Sequence, residues 1–198
     1  RPPRSTLFPY TTLFRSLAVL AGAALLGADI ARAALSLSQL EAPTGRGLRR
    51  TLEVGHGEAT LIDESYNANP ASMGAALNVL GQAPTGAHGR RIAVLGDMLE
   101  LGPTGPELHR NLNEAVTANR IDLVYCCGPL MRNLWDALST GKRGGYAESS
   151  AALEAQAVAA VRAGDVIMVK GSLGSKMKRI VSALEKRFPD KPAHEEAV

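Results

Sequence analysis

Arg91-Ile92-Ala93-Val94-Leu95-Gly96-Asp97 places four apolar residues in a row and follows them with a glycine and an acid. A run apolar on both sides of the chain predicts a strand buried on both faces, as parallel strands are, and not an alternating, half-exposed one. A loop and a helix from about Pro106 to Ala118 come next, and then a second apolar run, Ile121 to Cys126. Strand, helix and strand at this spacing make a parallel crossover unit.

The same alternation extends in both directions. Upstream, Thr51 to Val54 and Ala59 to Asp63 read as short strands joined at Gly55-His56-Gly57, a hairpin signal. Asn69 as cap and Pro70 in the first turn open a helix through Leu77 and Leu80. Downstream come a helix from Leu130 to Leu138, a short strand Gly145 to Ala147, and an alanine-rich helix capped by Ser150 and ending near Arg162. Asp165 to Lys170 is the last strand and Ser175 to Arg187 the last helix. The expected fold is α/β: a three-layer Rossmann-like domain with a mostly parallel sheet, helices on both faces, and an N-terminal hairpin or antiparallel strand.

Composition supports a packed protein, since 45% of the 198 residues are hydrophobic and 21% charged, which supplies a core and argues against disorder. The 22 Lys and Arg exceed the 19 Asp and Glu by three, with no run of five like charges, and aromatic residues make up only 4%. Nucleic-acid binding is not expected, because it needs a basic stripe or rings interleaved with cations. The two cysteines, Cys126 and Cys127, are adjacent in an apolar run, so they read as buried thiols in a reducing cytosol.

Residues 1–16 repeat Thr-Leu-Phe at 6–8 and 12–14, lack apolar periodicity, and read as adapter-like sequence outside the fold. Leu17 to Leu26 imitates a signal peptide ending at Ala31-Arg32-Ala33. The run is short for a membrane span of about 20 residues, so no membrane insertion is expected. Gly27 at a helix end and Asp29 at a helix start instead predict two packed helices, with Ile30, Ala33, Ala34 and Leu37 on one face. Residues 41–50 carry Pro43, two glycines and three arginines and read as a linker, 51–188 as the domain, and 189–198 as a polar tail.

Polar residues gather after the strands, where ligands bind in open α/β sheets. Asp63-Glu64-Ser65-Tyr66-Asn67-Ala68-Asn69 offers carboxylates, a ring and two amides; a capped turn explains Asn69, but the density exceeds what capping needs. Asp97 and Glu100 could bind an amine or a metal, or simply solvate a loop. Lys170-Gly171-Ser172-Leu173-Gly174-Ser175-Lys176 suits an anion, with a helix start behind it. Arg46 between Gly45 and Gly47 is either a solvated turn or a phosphate contact. No G-x-x-x-x-G-K-[ST] occurs, nor a G-x-G-x-x-G opening the first strand-helix unit.

DESYNANPASM at 63–73, AVLGDMLELG at 93–102 and MVKGSLGSKM at 168–177, in that order after a GRG turn, resemble the C-terminal domain of the Mur ligases. The resemblance implies an ATP-dependent acid–amino-acid ligase of peptidoglycan precursor synthesis, cytoplasmic and expected to be a monomer. Its substrates would be D-alanyl-D-alanine and a UDP-N-acetylmuramoyl-tripeptide, joined through an acyl phosphate. It implies Arg46, Asp63, Tyr66, Asn67 and Asn69 near ATP, Lys170 and Ser172 near the amino acceptor, and Asp97 and Glu100 as substrate-binding residues at the domain interface. ATP and Mg²⁺ would be held mainly by a central domain of which residues 17–40 are the last helices, and no catalytic or metal residue is expected in this chain. Two alternatives stay open: another ligase of the superfamily, such as a folylpolyglutamate type, or a non-catalytic α/β module binding a nucleotide or a protein.

Overall fold

The computed structural model describes residues 11–38 and 44–189, so the polar tail beyond Pro189 and most of the adapter-like segment lie outside it. The chain divides into two compact units, Arg1–Ala42 and Pro43–Val198.

In the first unit, α1 (Thr11–Leu25) and α2 (Ile30–Ser38) form a helical pair. Gly27 takes the left-handed φ of +79° that ends a helix, and the Asp29 carboxylate accepts from the Ala31 and Arg32 amides at 2.8 and 3.2 Å. The first helix begins at Thr11, inside the segment set aside as adapter-like. Of the expected apolar face, Ala33 and Leu37 are half-buried while Ile30 and Ala34 are exposed. Among the described residues no helix is long and apolar enough to cross a membrane.

The second unit runs β1 (Leu48–Val54), β2 (Gly57–Glu64), α3 (Pro70–Gln82), β3 (Arg91–Gly96), α4 (Gly105–Ala118), β4 (Leu123–Cys127), α5 (Arg132–Ala137), β5 (Arg143–Ala147), α6 (Ser150–Ala160), β6 (Val166–Lys170) and α7 (Lys178–Arg187). The six strands lie in the order β1-β2-β6-β3-β4-β5. Only the β1–β2 hairpin is antiparallel; β2, β6, β3, β4 and β5 run parallel, with Glu64 opposite Lys170 and Gly96 opposite Cys127.

Successive strand residues face opposite layers, which is what period two demands. Ala93, Leu95, Met168 and Cys126 pack under α3, α4 and α5 against Met73, Leu77, Leu80 and Leu112. Ile92, Val94, Val169 and Cys127 pack under α6 and α7 against Leu153, Ile180 and Leu184. Burial raises both thiols, Cys127 to about 11, so at neutral pH they are packing groups and not nucleophiles.

This layering positions the site. The helices after β2 and β3 cover one face, and the helix after β6, the strand between them, covers the other. The connections therefore diverge around the carboxyl end of β6, the topological switch point at which ligands bind in open α/β sheets.

Several boundaries differ from the sequence expectation by one to three residues, and three of these shifts have a clear structural origin. The first strand starts at Leu48, so Leu48 to Arg50 belong to the sheet and not to the linker. The cap of α6 is Ser149, whose extended backbone and hydroxyl, accepting from the Ala152 amide, fulfil the cap geometry; Ser150 is already helical. The last helix begins at Lys178 instead of Ser175, because Leu173–Ser175 form a 3-10 turn and Lys176 takes a left-handed φ of 55°, which breaks the helical path.

Candidate functional site

Asp63, near the end of β2, is 1% exposed and carries four donors. One carboxylate oxygen accepts from the Ser65 amide and hydroxyl at 3.1 and 2.6 Å; the other accepts from the Gly45 amide at 3.1 Å and the Lys178 ammonium at 3.0 Å. The Gly47 amide donates to the Asp63 carbonyl at 2.8 Å and the Tyr66 amide to the Gly45 carbonyl at 3.1 Å. The turn Thr44–Gly47 is thus sewn to the end of β2. Gly45 has a φ of +76°, and a Cβ there would stand 2.9 Å from the Tyr66 Cβ, so only glycine fits. The result is that the Arg46 guanidinium lies 4.3 Å over the Tyr66 ring, with both side chains at the surface. A cation on an aromatic face is suited to a phosphate beside a planar base.

Lys170 ends β6 and is 2% exposed. Its ammonium donates to the Asn67 carbonyl at 3.0 Å and meets Glu64 at 3.4 Å. Burial pulls its pKa below the ordinary 10.5, with Glu64 acting in the opposite direction. The Ser172 hydroxyl accepts from the Leu99 amide at 3.0 Å and donates to the Ala68 carbonyl at 3.3 Å, while the Ser172 amide donates to the Asp97 carbonyl. Lys170 and Ser172 therefore tie the loops after β2, β3 and β6 to one another.

Asp97 is buried over Gly128, whose φ is +112° and where a Cβ would meet the carboxylate at 2.4 Å. Its oxygens accept from the Met131 amide at 2.8 Å and the Leu130 amide at 3.3 Å. Burial raises its pKa and those two amides oppose the rise. Glu100 is exposed with a left-handed φ of 64°. Asn69 closes a capping box with Ser72, each side chain bonded to the other's backbone amide at 2.8 and 3.0 Å. The Asn67 side chain accepts from the neighbouring Ala68 amide at 2.8 Å.

All nine residues singled out from the sequence lie on the turn before β1 or at or just after the carboxyl ends of β2, β3 and β6. Arg46, Tyr66 and Glu100 face outward, whereas Asp63, Asp97, Lys170 and Ser172 are buried and bonded within the protein. Two further residues escaped sequence reasoning. Lys178 carried a signal, since a lysine in the first turn of a helix opposes the dipole and implies a specific acid nearby. His109 also did, as it shares the buried face of α4 with Leu112 and Val116 at helical spacing. Among the described residues no group of three His, Cys, Asp or Glu is placed to hold a metal ion.

The chain belongs to the Mur ligase, glutamate ligase domain family, whose sequence profile matches residues 49–173. More particularly, it is 32% identical over 174 residues to the UDP-N-acetylmuramoyl-tripeptide–D-alanyl-D-alanine ligase of Treponema pallidum, covering 86% of this chain and 36% of that protein. The enzyme of the same name from Bacillus subtilis is 31% identical over 176 residues, covering 87% of this chain and 37% of the relative. Among solved structures, the MurF ligase of Thermotoga maritima in complex with ADP superposes with a TM-score of 0.65 at 26% identity, over 84% of this chain and 36% of that one. The chain thus spans about a third of the length of the curated relatives it matches.

Proposed function

We propose that this chain is the carboxyl-terminal part of an ATP-dependent ligase that joins D-alanyl-D-alanine to a UDP-N-acetylmuramoyl-tripeptide in the cytoplasm. The observation that carries the reading is the outward Arg46–Tyr66 pair, locked by Gly45 beside the switch point and next to the loops after β3 and β6. The relatives' shared name supplies the substrates.

The chemistry needs two steps. A carboxylate oxygen of the tripeptide attacks the γ-phosphorus of ATP and ADP leaves. The amine of the dipeptide then attacks the acyl carbon, loses a proton, and expels phosphate with that oxygen. Arg46 fits the nucleotide phosphates because it is a permanent cation pre-oriented on a ring, and Tyr66 and Asn67 fit its base and sugar. Asp63 fits ribose hydroxyls only by exchanging the Lys178 ammonium for them, and otherwise braces the Arg46 turn. Asn69 holds the start of α3. Asp97, Glu100, Lys170 and Ser172 build the acceptor side, the buried three by fixing the loop and Glu100 by facing the incoming ammonium. Among the described residues no group of three His, Cys, Asp or Glu is placed to hold Mg²⁺, which in the full-length ligase would be held mainly by the central domain.

Purified full-length ligase should release phosphate from ATP only when both the nucleotide tripeptide and D-alanyl-D-alanine are present. Arg46→Ala should raise KM for ATP at least tenfold. Equal turnover with glutamate and a folate in place of these substrates, or an unchanged KM in Arg46→Ala, would overturn the reading.

A further inference from the structure

His109 is fully buried on α4 and takes no part in the chemistry above. Its ring bridges the two ends of the loop that follows β3. Nε2 lies 2.9 Å from the Met98 amide nitrogen and Nδ1 lies 2.7 Å from the Gly105 carbonyl oxygen. A ring nitrogen facing an N–H must offer its lone pair, and one facing a carbonyl must carry the hydrogen, so the backbone selects the neutral Nδ1–H tautomer.

Between these anchors the chain makes an unusual turn. The Leu99 amide is taken by the Ser172 hydroxyl at 3.0 Å, and the next residue, Glu100, is left-handed. Leu99 remains 41% exposed and packs toward Gly174, where a Cβ would come within 2.6 Å of it. Two consecutive amides after Asp97 are thus each held by one side chain, His109 for Met98 and Ser172 for Leu99. Both bonds fix the backbone just before Glu100. Removing the imidazole acceptor strands a buried N–H at Met98 and releases that constraint.

We propose that His109 is a positioning residue that holds Leu99 and Glu100 in the conformation that receives the amino acceptor, acting through the Met98 amide. This rests on the assignment of that loop to the acceptor side. Leu99 then offers an apolar contact to a small side chain, and Glu100 a carboxylate to its ammonium.

The test uses full-length ligase with His109→Leu, which keeps bulk without hydrogen bonds, and His109→Gln, whose amide oxygen and NH₂ can replace both ring nitrogens. His109→Leu should raise KM for D-alanyl-D-alanine about tenfold while KM for ATP stays within twofold, and His109→Gln should recover most of the loss. Equal changes in both KM values, no change, or no recovery with Gln would overturn the proposal. If His109→Leu does not fold, the Gln variant and ¹⁵N NMR of the imidazole decide. At pH 7 the ring should be the neutral Nδ1–H tautomer, and an Nε2–H or doubly protonated ring refutes the brace. A wild-type ligase without D-alanyl-D-alanine-dependent turnover would sink the reading of the site instead, leaving the brace to the tautomer measurement.

Discussion

Gly45 shows how one residue without a side chain aims another. Its positive φ and the 2.9 Å approach to Tyr66 place Arg46 on the ring, and neither could be read from the GRG motif, which equally describes a solvated turn. Gly45→Ala should cost about 1–3 kcal/mol in urea unfolding and raise KM for ATP in the full-length ligase. Unaltered stability and KM would show that the turn tolerates a Cβ. Lys170 is the second case. Its lysine type suggested an anion site, yet burial against Glu64 and the Asn67 carbonyl makes it a tie between loops. Because its folded pKa is lowered, the unfolded chain binds more protons between that value and the ordinary 10.5, so its contribution to stability rises with pH across that window. Lys170→Met should flatten this rise, with the variant losing ground to wild type as pH climbs toward 10. Parallel stability–pH curves would contradict the assignment.

At the scale of elements, the strands were legible because apolar runs between glycines and acids have few other destinations, and the helices because their caps are local. Asn69 is such a cap, and Asn69→Ala should lower stability by about 1 kcal/mol while Asn69→Asp keeps it. Equal losses in both variants would argue against the cap. What sequence missed were bonds between elements distant in the chain. Asp165, just before β6 and 1% exposed, accepts from the Arg90 amide at 2.9 Å, the Arg90 guanidinium at 2.6 Å and the Arg162 amide at 2.9 Å. It ties the start of β3, the start of β6 and the end of α6 at the amino-terminal end of the strands, opposite the site. Asp165→Ala strands a half-buried guanidinium and should cost about 3–5 kcal/mol, among the largest single-residue losses here. A loss under about 1 kcal/mol would show the pair to be solvated. The displaced start of α7 has the same origin: residue types favoured helix from Ser175, but Ser175 donates its hydroxyl to the Ser172 carbonyl and Lys176 turns left-handed.

For the whole molecule, the division at Ala42 and Pro43 implies that the second unit holds its own core. Residues 43–198 produced alone should melt cooperatively within a few degrees of the 198-residue chain. A broad, non-cooperative transition would show that the core depends on the first unit. The 198-residue chain by itself should release no D-alanyl-D-alanine-dependent phosphate from ATP, because it spans about a third of its relatives and contains no P-loop motif. Turnover comparable to the full-length ligase would refute that division of labour.

The sequence alone determined the layers, the parallel sheet and the loops in which polar side chains collect. Each of these follows from local periodicity, capping and the placement of glycine and proline. Tertiary structure alone decided which of those side chains face outward. Arg46 and Glu100 do; Asp63, Asp97, Lys170 and Ser172 spend their hydrogen bonds on partners from other loops, and His109 and Lys178 join them from helices. The physical reason is that residue type sets what a group can bond, while the strand order, which brings β6 between β2 and β3, sets which partners reach it first.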